Sequence, residues 1–157
     1  MPKIITKIEI NAPVELAFDL ARSIDFHVLT QSRHNETAVA GVMSGLIEYG
    51  ETVTWRAKHL GFYQNLTVKI TAFDKPYHFR DSMLKGAFKS FDHDHLFASS
   101  GSKTIMTDIF DYNSPLSFIG RLVDVVFLKK YMTSFFVSRQ KLLKKALESD
   151  QWKEYIY

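Results

Sequence analysis

Cysteine is absent from the 157-residue sequence, and its absence excludes several classes of protein. There can be no disulfide framework, no thiolate nucleophile and no cysteine-ligated zinc site. The sequence also lacks a glycine-rich phosphate loop, a Rossmann fingerprint, the G-x-S-x-G elbow of serine hydrolases and any internal repeat. We therefore expect neither a nucleotide cofactor nor serine hydrolysis.

A strong charge of one sign is missing as well. Twenty Lys and Arg residues stand against 17 Asp and Glu residues, which gives a net charge of +3, and the charges are interspersed. A nucleic-acid surface usually shows a clustered basic stripe, so we expect no nucleic-acid partner. The N-terminal segment has no apolar core and no cleavage site of a signal peptide, which predicts a cytoplasmic protein.

No uninterrupted apolar run is long enough to cross a bilayer. The most apolar stretch, residues 116–137, contains Arg121, Asp124, Lys129 and Lys130. A single charge near the bilayer centre costs about 2.5–3.5 kcal/mol, so four charges make a membrane span implausible. We expect no membrane span.

Aromatic residues, in contrast, are abundant. Thirteen Phe, seven Tyr and two Trp supply more aromatic volume than a small core needs. The chain length suits one domain, which we place over residues 1–149, followed by an aromatic tail over residues 150–157.

The order of hydrophobic patterns predicts one strand, two short helices and then a series of strands. Residues 3–11 alternate between the two faces of a half-buried strand. Pro13 and Glu15 suit the first turn of a helix, and a second short helix is predicted over residues 24–30. The short spacing of the strands that follow suits hairpins and therefore an antiparallel sheet. Turn signals delimit six of them, over residues 37–42, 51–60, 64–73, 78–85, 88–97 and 103–112.

The last predicted element is a long helix. Ser114 suits its N-cap and Pro115 its first turn, and only Gly120 interrupts the pattern before Glu148. The apolar faces of its two halves differ by roughly a third of a turn or more on a helical wheel. We therefore predict a kink or break near residues 127–131. The alternative is a straight helix whose excess apolar surface is covered elsewhere.

These elements together predict an α+β protein with a helix-grip fold. A seven-stranded, curved antiparallel sheet surrounds a long C-terminal helix, and two short helices follow the first strand. Because the sheet bends away from the helix in its middle, we expect a gap between them that aromatic side chains line.

Three segments resemble the SRPBCC superfamily of START/Bet v 1-like proteins. Residues 8–18 are similar to the opening pattern I-x-A-P-x-x-V-F of that family. The second segment runs from F-x-D-x-M-x-x-G-x-F at residues 79–88, through H-x-H-x-F at 93–97, to residues 104–115; the third covers residues 120–131 and Arg139. The last two resemble a bacterial subfamily of unassigned function, labelled polyketide-cyclase-like or cell-division-inhibitor-like. The resemblance implies a cavity for a lipophilic ligand and no particular reaction.

Strand register decides which polar residues face this cavity. A tight turn at Gly86 places Arg80 opposite His93. A following turn centred on residues 99–102 places Asp108 opposite the same histidine. A slip of one residue would move every side chain of a strand to the other face. Under these registers the aromatic-rich face, which we assign to the cavity, carries His78, Arg80, Leu84, Phe91, His93, His95, Phe97, Met106, Asp108, Phe110 and Tyr112.

The leading functional hypothesis is that the protein binds a hydrophobic small molecule, such as a lipid, isoprenoid or polyketide, with transport or sensing as the purpose. The polar members of the inner face would orient the head group of the ligand. The alternative is that they form an internal network in which each polar group has a hydrogen-bond partner, or that they lie at a rim of the sheet in contact with solvent. The predicted ligand-binding residues are Trp55, Arg80, Phe91, His93, His95, Met106, Asp108, Phe110, Tyr112, Leu122, Val126 and Phe135.

Two other functions stay open. The first is a cyclase or dehydratase in which His93, His95 and Asp108 supply acid–base catalysis, since histidine titrates near neutral pH. The second is an interaction or regulatory module that uses the outer face of the sheet or the aromatic tail. Two histidines in H-x-H spacing, with His78 or Asp108 as a third ligand, are a weak metal signal. We expect no bound metal and no cofactor.

Overall fold

Seven strands form one antiparallel sheet in the computed structural model, which describes residues 2–59, 61–114 and 124–156 without the side chains of Arg33, Asp124 and Val125. The spatial order is β1-β7-β6-β5-β4-β3-β2, so consecutive strands from β2 to β7 are neighbours and β1 adds to β7. This confirms the predicted sheet. The strands are β1 (Lys3–Ile10), β2 (Thr37–Gly41), β3 (Thr52–His59), β4 (Phe62–Asp74), β5 (His78–Lys85), β6 (Ser90–Ser100) and β7 (Lys103–Asn113).

Two short helices follow β1, as predicted. Helix α1 (Val14–Ala21) begins directly after Pro13. Helix α2 (Ile24–Thr30) is capped by Ser23, whose hydroxyl accepts a hydrogen bond of 3.2 Å from the backbone N–H of Phe26. This capping bond satisfies one of the amide groups that a helix start leaves without a partner.

The C-terminal helix crosses the inner face of the sheet. A π-helical turn (Asp124–Leu128) leads into α3 (Lys129–Leu147). The winding therefore changes inside the range where the sequence predicted a break, whereas the predicted start at Pro115 lies outside the described residues. The buried side chains of α3 recur at helical spacing along one face: Phe136, Gln140, Leu143, Ala146 and Leu147. None of the described helices has the length and apolar character needed to traverse a bilayer.

The register of β5 differs from the prediction by one residue. Arg80 lies opposite Asp94, and Asp81 lies opposite His93. The sequence interpretation took Gly86 for a tight turn, but residues 86–89 form a longer connection. A Cβ at residue 86 would lie 2.7 Å from Leu66 Cδ1, so a larger residue would require the end of the Leu66 side chain to shift. The predicted inner positions of His78, Arg80 and Leu84 are therefore wrong, and Phe79 and Asp81 face inward.

The register between β6 and β7 differs by two residues, which leaves every side chain on its predicted face. His95 lies opposite Asp108, and Phe97 opposite Met106. The strands are joined at Gly101, whose positive φ of 64° suits glycine. The predicted inner residues of the two strands are buried: Phe91, His93, His95, Phe97, Met106, Asp108, Phe110 and Tyr112.

The aromatic C-terminal segment folds back onto the chain. A short 3₁₀ turn (Gln151–Glu154) places the Tyr155 ring edge-on to Phe26, with ring centroids 5.3 Å apart. Trp152 and Ile156 also pack against the core.

Candidate functional site

A cavity of about 300 Å³ lies between the inner face of the sheet, helix α2 and helix α3. This volume is at the low end of the range for ligand sites, and about twice that of an apolar cavity known to hold benzene. Most of its wall is aliphatic or aromatic. The apolar lining includes Val53, Trp55, Val68, Ile70, Phe79, Phe91, Phe110, Leu128, Met132, Phe135 and Phe136.

Four ionisable side chains from three neighbouring strands meet at one end of this cavity. We call Asp81 of β5, His93 and His95 of β6, and Asp108 of β7 the inner cluster. The two imidazoles lie side by side because residues two apart in a strand share a face. Their ring centroids are 4.0 Å apart. Both histidines are buried, with 4% and 1% of their surface exposed.

Asp108 holds the side of the two imidazoles that faces away from the cavity. Its Oδ1 accepts a hydrogen bond of 3.0 Å from His93 Nε2. The same oxygen lies 2.8 Å from His95 Nδ1, a contact that is ionic because the ring N–H is not aligned with it. Gln140 of α3 donates a bond of 2.6 Å to the other carboxylate oxygen, and a bond of 3.2 Å to the carbonyl of Thr6. The last helix is thereby tied to the cluster and to β1.

Asp81 holds the opposite side of the imidazoles, where they face the cavity. Its Oδ2 lies 2.8 Å from His95 Nε2 and 3.9 Å from His93 Nδ1. Asp81, His93 and His95 all line the cavity, whereas Asp108 does not. Aromatic rings cover the imidazole faces: Phe79 stacks on His95 at 4.2 Å, and Phe136 lies 4.8 Å from His93.

The environments of the two histidines shift their pKa values in opposite directions. Burial, together with the neighbouring His95, lowers the pKa of His93. Burial also opposes a charge on His95, but Asp108 and Asp81 outweigh it and raise the pKa of His95. For each carboxyl group burial favours the neutral form, yet the histidines prevail and lower the pKa of Asp81 and Asp108. The inner cluster is thus a compact charged group beside an apolar space.

A second polar group borders the cavity next to Trp55. His27 of α2 bonds to the carboxylate of Glu36 and stacks on the indole of Trp55, with centroids 4.1 Å apart. Burial, followed by the charge of Arg139, lowers the pKa of His27. This group shapes the wall of the cavity at the end where α2 meets the sheet.

The outer face of the sheet carries a set of ionisable residues similar to the inner cluster. His78 and Arg80 of β5 both bind Asp94 of β6, and we call these three residues the outer cluster. His78 Nε2 lies 2.6 Å from the carboxylate, and the Arg80 guanidinium donates two bonds of 2.8 and 3.1 Å. The Arg80 side chain is 40% exposed. Arg80, predicted as a ligand contact, therefore lies on the wrong face for the cavity.

The other predicted ligand-binding residues fall into three groups. Met106, Asp108 and Tyr112 are buried behind the wall of the cavity. Val126 is 71% exposed and does not line the cavity, and Leu122 lies outside the described residues. The predicted residues that line the cavity are Trp55, Phe91, His93, His95, Phe110 and Phe135.

Sequence reasoning missed several polar residues of the site. Asp81 is absent from the predicted inner face, although the F-x-D-x-M alternation at residues 79–83 groups it with two apolar positions. Gln140 is one of several uncharged polar residues of α3, and no local pattern marks it. His27 and Glu36 precede the large sheet, and only the fold brings them to Trp55.

The structure resembles solved protein structures, although their sequences differ greatly from that of this chain. No protein-family model matches the chain, and no curated protein matches it by sequence. A protein of Thermus thermophilus superposes with a TM-score of 0.76 at 19% identity, covering 93% of this chain and 97% of that one. A START superfamily protein of Mycobacterium smegmatis gives 0.72 at 12% identity, with coverage of 93% and 97%. Ginseng major latex-like protein 151 of Panax ginseng gives 0.68 at 17%, with coverage of 93% and 97%.

The chain has the same helix-grip fold as these structures. Each of the three covers 93% of the chain. The fold expected from the sequence resemblance is confirmed. Since identities below 20% establish only the fold, function has to be argued from the cavity itself.

Proposed function

We propose that the protein binds a small apolar molecule in the cavity between the sheet and α3. The observation that carries this proposal is a cavity whose wall is mostly apolar and which the buried polar side chains of the inner cluster border. Apolar pockets with a few convergent polar groups are typical of sites for small molecules. The SRPBCC fold commonly serves this purpose, which supports the proposal.

The size and polarity of the cavity narrow the class of ligand. A volume of about 300 Å³ suits a molecule of one or two rings or a short isoprenoid better than a long-chain lipid. At the inner cluster, Asp81 presents a carboxylate, which accepts hydrogen bonds but cannot donate them. The expected ligand therefore carries a hydroxyl or another neutral hydrogen-bond donor at the end that meets Asp81.

A matched pair of probes tests both points. We expect isothermal titration calorimetry to show binding of 2-naphthol and at least tenfold weaker binding of 2-naphthoate, which has the same rings and an anionic group. Equal affinity for both probes, or binding of neither, contradicts the proposal. Native mass spectrometry of freshly purified protein should also show a co-purified neutral compound.

A cavity-filling variant tests where the probe binds. Ala57 is buried on β3 and lines the cavity, whereas Ala98 is exposed on the outer face of β6. We expect Ala57→Phe to weaken 2-naphthol binding at least tenfold, because the new ring occupies the cavity, and the control Ala98→Phe to leave binding unchanged. Thermal unfolding checks that both variants are folded. Equal effects of the two substitutions would place the probe elsewhere.

A second candidate function is acid–base catalysis, which the geometry of His93 favours. Asp108 orients this imidazole from behind, while its other nitrogen faces the cavity, as a general base requires. We expect a catalyst of this kind to cyclise or dehydrate a linear poly-β-ketone, with the product followed by absorbance. His93→Gln should then abolish turnover while 2-naphthol binding survives. Turnover that persists in this variant contradicts a catalytic role of His93.

A further inference from the structure

Three donor atoms of the inner cluster converge on one point at the wall of the cavity. The side chains of Asp81, His93 and His95 each offer one such atom, and these atoms lie within 4.8 Å of one another. Asp81 Oδ2 is 2.8 Å from His95 Nε2 and 3.9 Å from His93 Nδ1. Ligands bound at 2.0–2.2 Å to one metal ion lie about 3.0–3.5 Å apart, so modest side-chain rotations suffice to seat an ion between them.

On the far side of both imidazoles a carboxylate is already in contact with the second ring nitrogen. Metal-binding histidines usually present the second ring nitrogen to a carboxylate, which fixes the orientation of the ring. Here a single carboxylate, that of Asp108, contacts His93 Nε2 at 3.0 Å and His95 Nδ1 at 2.8 Å. Gln140 in turn fixes Asp108 by donating to its other oxygen. The nitrogens that remain are those that face Asp81.

The charge and accessibility of the cluster also suit a cation. Two carboxylates, Asp81 and Asp108, lie within a largely buried group of side chains, where uncompensated negative charge is costly. A divalent cation bound by two neutral imidazoles would balance both charges. Because the three donor residues line the cavity, the remaining coordination positions of an ion would face the space where a small molecule fits.

We propose that Asp81, His93 and His95 form a binding site for a divalent first-row transition metal such as Zn²⁺, with Asp108 as the carboxylate that orients both imidazoles. Imidazole ligands favour such metals over Mg²⁺ or Ca²⁺. Two histidines and one carboxylate with open positions make a site at which water or an oxygen-bearing ligand binds the ion. This site is independent of the apolar-ligand proposal, because it requires only the four polar side chains.

The site differs from the weak metal signal in the sequence. The H-x-H pair pointed to His78 or Asp108 as a third ligand, and no metal was expected. In the structure His78 belongs to the outer cluster and Asp108 lies behind the imidazoles. Asp81 completes the set, and it does so only through the register of β5.

Titration with Co²⁺, followed by its visible absorption, tests the site in the intact protein. We expect one equivalent to bind with a nitrogen-ligated spectrum and Zn²⁺ to displace it. Asp81→Asn should raise the Co²⁺ dissociation constant at least tenfold. The matched control Asp94→Asn, which removes the same charge from the outer cluster, should leave the constant unchanged. Co²⁺ should bind to protein that holds no 2-naphthol, which separates this proposal from that of the apolar ligand.

A second measurement on the unaltered protein covers the case in which Asp81→Asn fails to fold. Zn²⁺ at about 100 times its dissociation constant should raise the Tm by about 5–10 °C, because it binds only the folded state. Imidazole ¹⁵N resonances of His93 and His95 should shift on Zn²⁺ addition, and that of His78 should not. Absence of one-equivalent binding, an equal loss in Asp94→Asn, or shifts confined to other histidines would overturn the proposal.

Discussion

Strands β5 and β6 carry two clusters of similar composition on their opposite faces. The outer cluster joins His78 and Arg80 to one aspartate in contact with water. The inner cluster joins two histidines to two aspartates, and the side chain of its His95 is only 1% exposed. Successive residues of the same two strands, which point to opposite faces of the sheet, therefore have very different surroundings. A pair of a histidine and an aspartate is expected to have a modest effect on stability in contact with water and a large effect when it is buried.

The physical reason is desolvation. A carboxylate in contact with water keeps most of its hydration when a partner is removed, so exposed ion pairs contribute only about 0–1 kcal/mol. A buried carboxylate depends on its protein partners, and removing one member of a buried pair costs about 3–5 kcal/mol. The two clusters provide an internal comparison within one sheet, and three changes test it.

The largest expected effect comes from truncating the central carboxylate of each cluster. Asp108→Ala leaves His93 Nε2 without its acceptor and removes the carboxylate that contacts His95 and Gln140, and we expect it to lower the free energy of unfolding by about 3–5 kcal/mol. Asp94→Ala should lower it by about 1 kcal/mol or less, because Arg80 is 40% exposed. Urea unfolding at pH 7 measures both. Equal losses would show that burial does not distinguish the clusters.

An intermediate effect is expected at Gln140, which connects α3 to the inner cluster. Gln140→Leu keeps the apolar bulk of the side chain but removes its bonds to Asp108 and to the Thr6 carbonyl. We expect a loss of about 1–3 kcal/mol in the free energy of unfolding, as for other buried groups left unsatisfied. Leu142→Gln, on the exposed side of α3, is a control with little expected effect. An unchanged stability in Gln140→Leu would mean that Asp108 does not need this donor.

The smallest expected effect concerns pH and a histidine at the cavity wall. The folded-state pKa of His27 lies below its ordinary value near 6.5, chiefly because of burial and then Arg139, with Glu36 and Asp81 opposing. Below pH 6.5 the unfolded chain therefore binds more protons at this position than the folded chain. Stability falls as the pH drops from 6.5 toward the folded-state pKa.

Replacing His27 should reduce the loss of stability at acid pH. We expect the unfolding free energy of His27→Gln to decrease less steeply between pH 7 and pH 5 than that of the unaltered protein, by up to about 1.4 kcal/mol per pH unit. Ala98→Ser, an uncharged change on the outer face, serves as the control. A slope in His27→Gln as steep as the original would show that His27 is not buried in its neutral form.

How much of the two clusters could be predicted from the sequence depended on the turns between the strands. The inner faces of β6 and β7 followed from alternation alone, and the error of two residues at Gly101 left them in place. In β5 the error of one residue exchanged the two faces of the strand, so that His78 and Arg80 were predicted inside. Hydrophobic alternation does not fix the length of a connection, and residues 86–89 form a longer connection than the tight turn predicted at Gly86.

The parts of the site that escaped prediction are long-range contacts. Gln140 reaches Asp108 from a helix 32 residues further along the chain. His27 reaches Trp55 from another helix. Neither contact has a local sequence signature, because each exists only after the sheet has closed around α3. The fold was predictable from periodic patterns, whereas these polar contacts depend on the relative placement of elements.

The most direct test of the account is a crystal structure of the protein with 2-naphthol. The account predicts density for the two rings between β3, β6 and α3, with the hydroxyl within hydrogen-bond distance of the inner cluster. Side chains that fill this space, or a probe bound only on the outer face of the sheet, would contradict it.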